Sequence, residues 1–165
     1  MLTSVELFAG AGGLGMGLAL AGFRHLAVVE WDRWACDTIR ENQKRGHPLV
    51  SDWPLHVGDV RKVDYRAIPP GVDAVAGGPP CQPFSISGKH KAYDDSRDMF
   101  PATVDVIRQL RPRAFIVENV RGLTRPNFAN YFSGSSWVSG WWLRDQATRA
   151  PTSAARSCLP RLRAL

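Results

Sequence analysis

An α/β fold built on a mostly parallel sheet is predicted by three observations. Short apolar runs alternate with segments of helical period. The first run ends in a glycine-rich turn that opens a helix, Gly10-Ala-Gly12-Gly13-Leu-Gly15. The composition, 44% hydrophobic and 22% charged over 165 residues, is that of a globular chain about one domain long.

The elements follow in chain order. Ser4-Val-Glu-Leu-Phe8 is a short buried strand that gives way to the turn Ala9 to Gly13. Leu14 to Ala21 has the small and apolar residues of a closely packed helix. Arg24 to Glu30 is a second strand and Arg33 to Arg45 an amphipathic helix. Leu55-His-Val57 is a short strand ending at Gly58-Asp59, and Val72-Asp-Ala-Val-Ala76 is a fourth ending at Gly77-Gly78. Met99 to Leu110 is the next helix and Arg113 to Glu118 a fifth strand. Pro79 to Arg97 has few apolar residues and no period, and a loop of that length in a compact domain is functional or disordered. These segments predict a core over 1–125. From Pro126 to Leu165 the sequence turns to Arg, Ala, Ser, Pro and Trp without a sustained period, which predicts a divergent, poorly ordered tail.

Bulk properties narrow the function classes. No apolar run approaches the roughly 20 residues of a membrane span. The first apolar stretch is interrupted by glycines and lacks a basic flank, so neither a membrane nor a secreted protein is expected, and the expected location is cytoplasmic. Cys36, Cys81 and Cys158 are widely separated and show no paired metal-ligand spacing, so no metal is expected. The net charge of +6 suits a polyanionic partner only weakly. Five Arg against one acidic residue place +4 of it in 126–165, leaving 16 basic against 14 acidic residues before that.

Gly10-x-Gly12-x-x-Gly15 follows a strand, and Glu30 stands twenty residues after Gly10 at the end of the second strand. Glycines that let a ligand approach the backbone, followed by a carboxylate for ribose hydroxyls, serve any adenosyl cofactor. A nicotinamide or flavin enzyme, a methyltransferase and a purely structural glycine turn all fit this pattern. Trp31 offers a flat face for an adenine. Asp59 offers an acceptor for its amino group, although an acidic residue that simply caps a strand end fits as well.

Gly77-Gly-Pro-Pro-Cys81-Gln-Pro-Phe-Ser85 places a thiol on a stiff loop, with Pro79, Pro80 and Pro83 fixing φ. A cysteine held at the C-terminal edge of a parallel sheet is where a nucleophile belongs. A structural loop cysteine is the alternative.

Five segments in order resemble the cytosine carbon-5 DNA methyltransferase family. They are Glu6-Leu-Phe-Ala-Gly-Ala-Gly-Gly-Leu14, Glu30-Trp-Asp32, Gly58-Asp-Val60, Pro79-Pro-Cys-Gln82 and Glu118-Asn-Val120, and the likeness runs from about Ser4 to Leu123. It implies a Rossmann-like, S-adenosyl-L-methionine-dependent methyltransferase fold and methyl transfer to carbon 5 of cytosine in DNA, the activity of the modification half of a restriction-modification system. In that chemistry the Cys81 thiolate adds to carbon 6, carbon 5 takes the methyl group, and loss of the carbon-5 proton expels the thiol. Glu118 would hold ring nitrogen 3 and the exocyclic amine, a contact that calls for a protonated or proton-sharing carboxyl. Asn119 would fix the cysteine loop. The cofactor would meet Phe8, Ala9, Gly10, Gly12, Leu14, Glu30, Trp31, Asp59, Val60 and Pro80, with Phe100 packed nearby. The target base would be flipped out of the duplex, and Ser85, Ser87, Lys89 and Arg97 would touch the nucleotide or its phosphates. A tRNA-acting branch of the family carries the same motifs.

The resemblance stops short of the family's arginine motif, its target-recognition domain and its C-terminal motifs. The expectation is therefore an incomplete fold, truncated or frameshifted after about residue 132. Little or no methylation is then expected from the chain alone, and a complementing chain is the expected partner. The alternative is a non-catalytic S-adenosylmethionine-binding fragment or subunit. A dinucleotide oxidoreductase would leave the Pro-Pro-Cys-Gln and Glu-Asn-Val pair without a role.

Overall fold

The computed structural model describes residues 1–80 and 99–120. Cys81, Ser85, Ser87, Lys89 and Arg97 and residues 121–165 lie outside the described residues.

Five parallel strands form the sheet: β1 (Leu2–Leu7), β2 (Phe23–Glu30), β3 (Leu55–Val57), β4 (Ala74–Gly77) and β5 (Ala114–Val117). Their spatial order is β3-β2-β1-β4-β5. The chain builds outward from β1 in one direction, then returns to build outward in the other. The reversal leaves a crevice at the C-terminal ends of β1 and β4, where open α/β sheets bind ligands.

Alternation along β1 divides the core between the two faces of the sheet. Val5 and Leu7 pack with Ala27, Val29, Val60, Tyr65, Val72, Val75, Val106 and Ile107. On the other face Val28, Ala9, Ile39, Val50 and Trp53 form a second cluster. Burial on both faces is what a central parallel strand demands, and it explains the run of small and branched apolar residues in β1, β2 and β4.

Helix α1 (Gly13–Leu20) connects β1 to β2, and α2 (Arg33–Lys44) connects β2 to β3. Asp32 caps α2, its Oδ1 accepting from the Ala35 N–H at 2.8 Å, and Cys36 and Ile39 on the inner face are fully buried. Gly46, at φ 68°, stops it, its N–H donating to the Gln43 carbonyl at 3.0 Å. Two short 3₁₀ turns, Val60–Lys62 and Tyr65–Ala67, carry the chain from β3 toward β4. Helix α3 (Phe100–Leu110) buries Thr103, Val104, Val106 and Ile107, and it ends at Arg111 before Pro112. Among the described residues, the three α-helices and five strands fall within a residue or two of the expected spans.

Candidate functional site

The turn after β1 is shaped from below. Gly12 sits at φ 94°, and a Cβ there would come within 2.7 Å of the Trp53 ring. Gly15 has ordinary helical backbone, but a Cβ on it would lie 2.8 Å from the same indole and against the Glu6 carboxylate. Gly12 is thus required by conformation and by space, and Gly15 by space alone. Trp53 is 4% exposed and is held by Gln43 Nε2, which donates to its carbonyl at 2.8 Å. His25 meets the indole edge-on at 4.9 Å between ring centroids. His25 Nε2 lies 3.0 Å from the Gly15 carbonyl and Nδ1 lies 3.1 Å from the Ser4 hydroxyl. Because a carbonyl can only accept, the ring is the Nε2–H tautomer taking the serine proton at Nδ1, and burial pushes its pKa down, which keeps it neutral.

Glu6 completes this floor. It is 1% exposed and neither carboxyl oxygen has a well-formed hydrogen-bond partner. Burial raises its pKa to about 7; the nearby Gly15 N–H opposes the shift and the charge of Glu30 adds to it.

Glu30 ties the second strand to the glycine turn. Its Oε2 accepts from the Gly10 N–H at 2.7 Å, while Oε1 accepts from the Trp31 and Asp32 N–H groups at 2.8 and 2.7 Å. The Glu30 carbonyl in turn accepts from the Gly58 N–H at 2.8 Å, drawing the end of β3 alongside. A pocket opens at this junction. Phe8, Val29, Glu30 and Trp31 line it from β1 and β2, Gly58, Asp59 and Val60 from the end of β3, and Pro80 and Met99 from the fourth-strand side. Asp59 caps the turn Val60–Lys62, and the Arg61 guanidinium holds its carboxyl well below the usual range, at about 2.

Beside the pocket, β4 leads to the cysteine motif. A Cβ on Gly77 would strike the Leu7 carbonyl at 2.7 Å, so β1 and β4 approach here at a distance only glycine permits. The Glu118 N–H donates to the Gly77 carbonyl at 3.0 Å, and the Glu118 carboxylate stands 3.2 Å from where a Gly78 side chain would begin. Asn119 Nδ2 donates to the Pro79 carbonyl at 3.0 Å, and its Oδ1 accepts from the Val120 N–H. Asn119 therefore grips the backbone two residues before Cys81, which itself lies outside the described residues.

Of the ten residues expected at a cofactor, Phe8, Glu30, Trp31, Asp59, Val60 and Pro80 line one pocket, and Gly10 and Gly12 form the turn beside it. Ala9 is buried in the second core cluster, and Leu14 stands half-buried on α1; neither lines the pocket. Met99 lines it where Phe100 is expected. Trp53 and His25, which pack against the glycine turn, carry no motif that marks them in the sequence. Only the isolated acidic residue within an apolar strand hints at them.

A family described as C-5 cytosine-specific DNA methylase matches residues 2–135. The chain is 44% identical over 129 residues to the type II methyltransferase M.NgoMIV of Neisseria gonorrhoeae, covering 78% of this chain and 39% of that protein. It is 46% identical over 134 residues to the type II methyltransferase M.NaeI of Lentzea aerocolonigenes, covering 79% and 30%. It thus spans about a third of the length of these relatives. Among solved structures, one assigned as a DNA modification methyltransferase encoded within an E. coli prophage superposes with a TM-score of 0.65 at 30% identity, over 85% of this chain and 38% of that one. A mutant of Spodoptera frugiperda DNMT2 shares the fold at a TM-score of 0.54 and 22% identity, over 82% and 40%. The sheet and its helices are the Rossmann-like fold of S-adenosylmethionine-dependent methyltransferases.

Proposed function

The chain belongs to the C-5 cytosine-specific DNA methylase family, and from that premise we propose that it acts as a DNA (cytosine-5-)-methyltransferase, or as the part of one that holds S-adenosyl-L-methionine and presents Cys81 to a cytosine flipped out of DNA. The observation that carries the reading is the convergence of three strand ends on one pocket, with the Glu118–Asn119 pair next to it at the entry to the cysteine motif.

The pocket suits an adenosyl group. Trp31, 70% exposed, offers an indole face, and Phe8, Val60 and Pro80 supply apolar walls. Glu30 is oriented by three backbone amides, and its Oε2, which takes only one of them, retains acceptor capacity for a ribose hydroxyl. Gly10 has open space where a side chain would stand. When bound, S-adenosylmethionine supplies a methyl group on a sulfonium sulfur, a strong electrophile.

The chain's own residues provide the activation. Carbon 5 of cytosine is too weak a nucleophile unaided. The Cys81 thiolate adds to carbon 6, and the electron pair of the 5,6 double bond becomes available at carbon 5. Glu118 holds ring nitrogen 3 and the exocyclic amine and stabilises the charge that develops there. Asn119 fixes the Pro79 carbonyl and with it the start of the cysteine loop. When the carbon-5 proton leaves, the electron pair returns to the ring and the thiolate departs. Ser85, Ser87, Lys89 and Arg97 contact the flipped nucleotide or flanking phosphates. In this reading residues 1–125 are the cofactor-binding and catalytic core.

A second reading takes the chain as a non-catalytic S-adenosylmethionine-binding part that works with a partner chain, and its support is the same pocket and glycine turn. Calorimetric titration with S-adenosylmethionine tests the cofactor half that both readings share. One site per chain is expected. Glu30→Ala should weaken it by about tenfold to a hundredfold, through loss of a charge-assisted hydrogen bond and of the amide ties that shape the turn. Unchanged affinity in that variant would contradict the assignment.

A further inference from the structure

The end of β3 carries more than an acceptor for a base. Asp59 Oδ1 accepts from the Arg61 backbone N–H at 2.9 Å and from Arg61 Nε at 3.0 Å. Oδ2 accepts from Nε at 3.1 Å and from Nη2. One carboxylate thus caps the turn Val60–Lys62 and is gripped by a guanidinium fork from inside that turn. The Asp59 side chain is 13% exposed and that of Arg61 is 53% exposed, so the arginine is the solvent-facing member of the pair. Asp59 also lines the pocket.

The neighbouring turn is an internal control. Asp64 caps Tyr65–Ala67 and takes the same fork from Arg66, at 2.8 and 3.1 Å. Asp64 does not line the pocket and is 58% exposed. Asp-x-Arg is therefore a turn-closing device that this chain uses twice, and at Asp59 the device is built into a ligand site. An aspartate at a strand end would otherwise sample several rotamers and turn toward water. Two hydrogen bonds from a planar fork remove that freedom.

We propose that Arg61 is a positioning residue that sets the purine specificity of the adenosyl pocket, by holding the Asp59 carboxylate as a fixed, acceptor-only edge that accepts an exocyclic amine and rejects a 6-oxo group. The proposal rests on the adenosyl reading above. A carboxylate held at a pKa of about 2 carries no proton to offer an oxo group at ordinary pH, so the mismatch is lone pair against lone pair. The ion pair itself is surface-exposed and contributes little to stability. Its value lies in orientation.

The test compares S-adenosyl-L-homocysteine with S-inosyl-L-homocysteine, in which a 6-oxo group replaces the amine and N1 carries a proton, by calorimetry on the full chain. The wild-type chain should prefer the adenosyl ligand by about a hundredfold or more. Arg61→Ala keeps the backbone N–H cap and removes the fork, and its preference should fall by about tenfold. Arg61→Lys, with the charge but no fork, should fall between the two. A purely turn-closing role would weaken both ligands together and leave the ratio unchanged in both variants, which would overturn the proposal, as would equal binding of the two ligands by the wild-type chain. A wild-type chain that binds neither ligand would sink the adenosyl reading itself, and the proposal with it.

Discussion

Glu6 is a carboxyl with nowhere to put a charge. It lies under the glycine turn, 1% exposed, walled by Gly15 and Trp53 and facing the field of Glu30. Its pKa in the folded chain is about 7, against 4.5 for an ordinary glutamate. The folded state therefore binds the proton more tightly than the unfolded chain. The stability this confers is fully present below about pH 4.5 and is lost as pH rises to about 7. Its size is of order 3 kcal/mol at most. Glu6→Gln, which is neutral at every pH, should remove that slope. In thermal melts from pH 5 to pH 8 the variant should lose its advantage at low pH and melt higher than the wild-type chain at pH 8. Parallel curves would show that Glu6 stays charged in the folded state. The sequence shows a lone acid in an apolar strand. That it is sealed beneath a helix depends on Trp53 and His25, which come from segments with no visible link to it.

At the scale of elements, the glycine turn and α1 offer a comparison within eight residues. A Cβ on Gly17 meets nothing within 4 Å, whereas one on Gly15 meets the indole and the Glu6 carboxylate. Helix propensity alone predicts that alanine stabilises both by about 1 kcal/mol. The packing predicts opposite signs: Gly17→Ala should raise the unfolding free energy by about 0.5–1 kcal/mol, and Gly15→Ala should lower it by about 1–3 kcal/mol. Chemical denaturation of the two variants measures both, and a gain at Gly15 would contradict the close approach of Trp53. Among the described residues the α-helices and strands are legible in the sequence because period and punctuation agree: Asp32 and Gly46 bracket α2, and Pro112 closes α3. The boundaries shift where side chains pair outside the pattern. β4 begins at Ala74 and not at Val72, and the Asp73 carboxylate just before it accepts from the Thr3 N–H at 2.9 Å and from Arg113 Nη1 at 2.9 Å. The two 3₁₀ turns have no periodicity to reveal them. Their signal is the repeated Asp-x-Arg of Asp59–Arg61 and Asp64–Arg66, which becomes meaningful once the fork is seen.

For the whole molecule, the strand order could not come from period or composition. The alternating pattern predicts a mostly parallel sheet, but only the paired registers show β1 and β4 side by side, with sixty-six residues of chain between Leu7 at the end of one and Ala74 at the start of the other. That adjacency brings Phe8, Glu30 and Asp59 to the same edge as Pro80, Glu118 and Asn119. Motifs scattered over more than a hundred residues become one surface. Legibility of the site followed the same division. Most pocket-lining residues carry motif signatures, whereas Met99, which lines the pocket, and Trp53 and His25, which pack against the glycine turn, have none.

The central claim is that this edge delivers Cys81 to carbon 6 of a cytosine. Covalent capture on duplex DNA carrying 5-fluorocytosine tests it most directly, because fluorine at carbon 5 blocks the proton loss that releases the thiol and one event per chain accumulates even where turnover is slow. With S-adenosylmethionine present, the account predicts a denaturation-resistant protein–DNA complex that is absent in Cys81→Ser. No complex from the wild-type chain, or a complex that survives in Cys81→Ser, would contradict it.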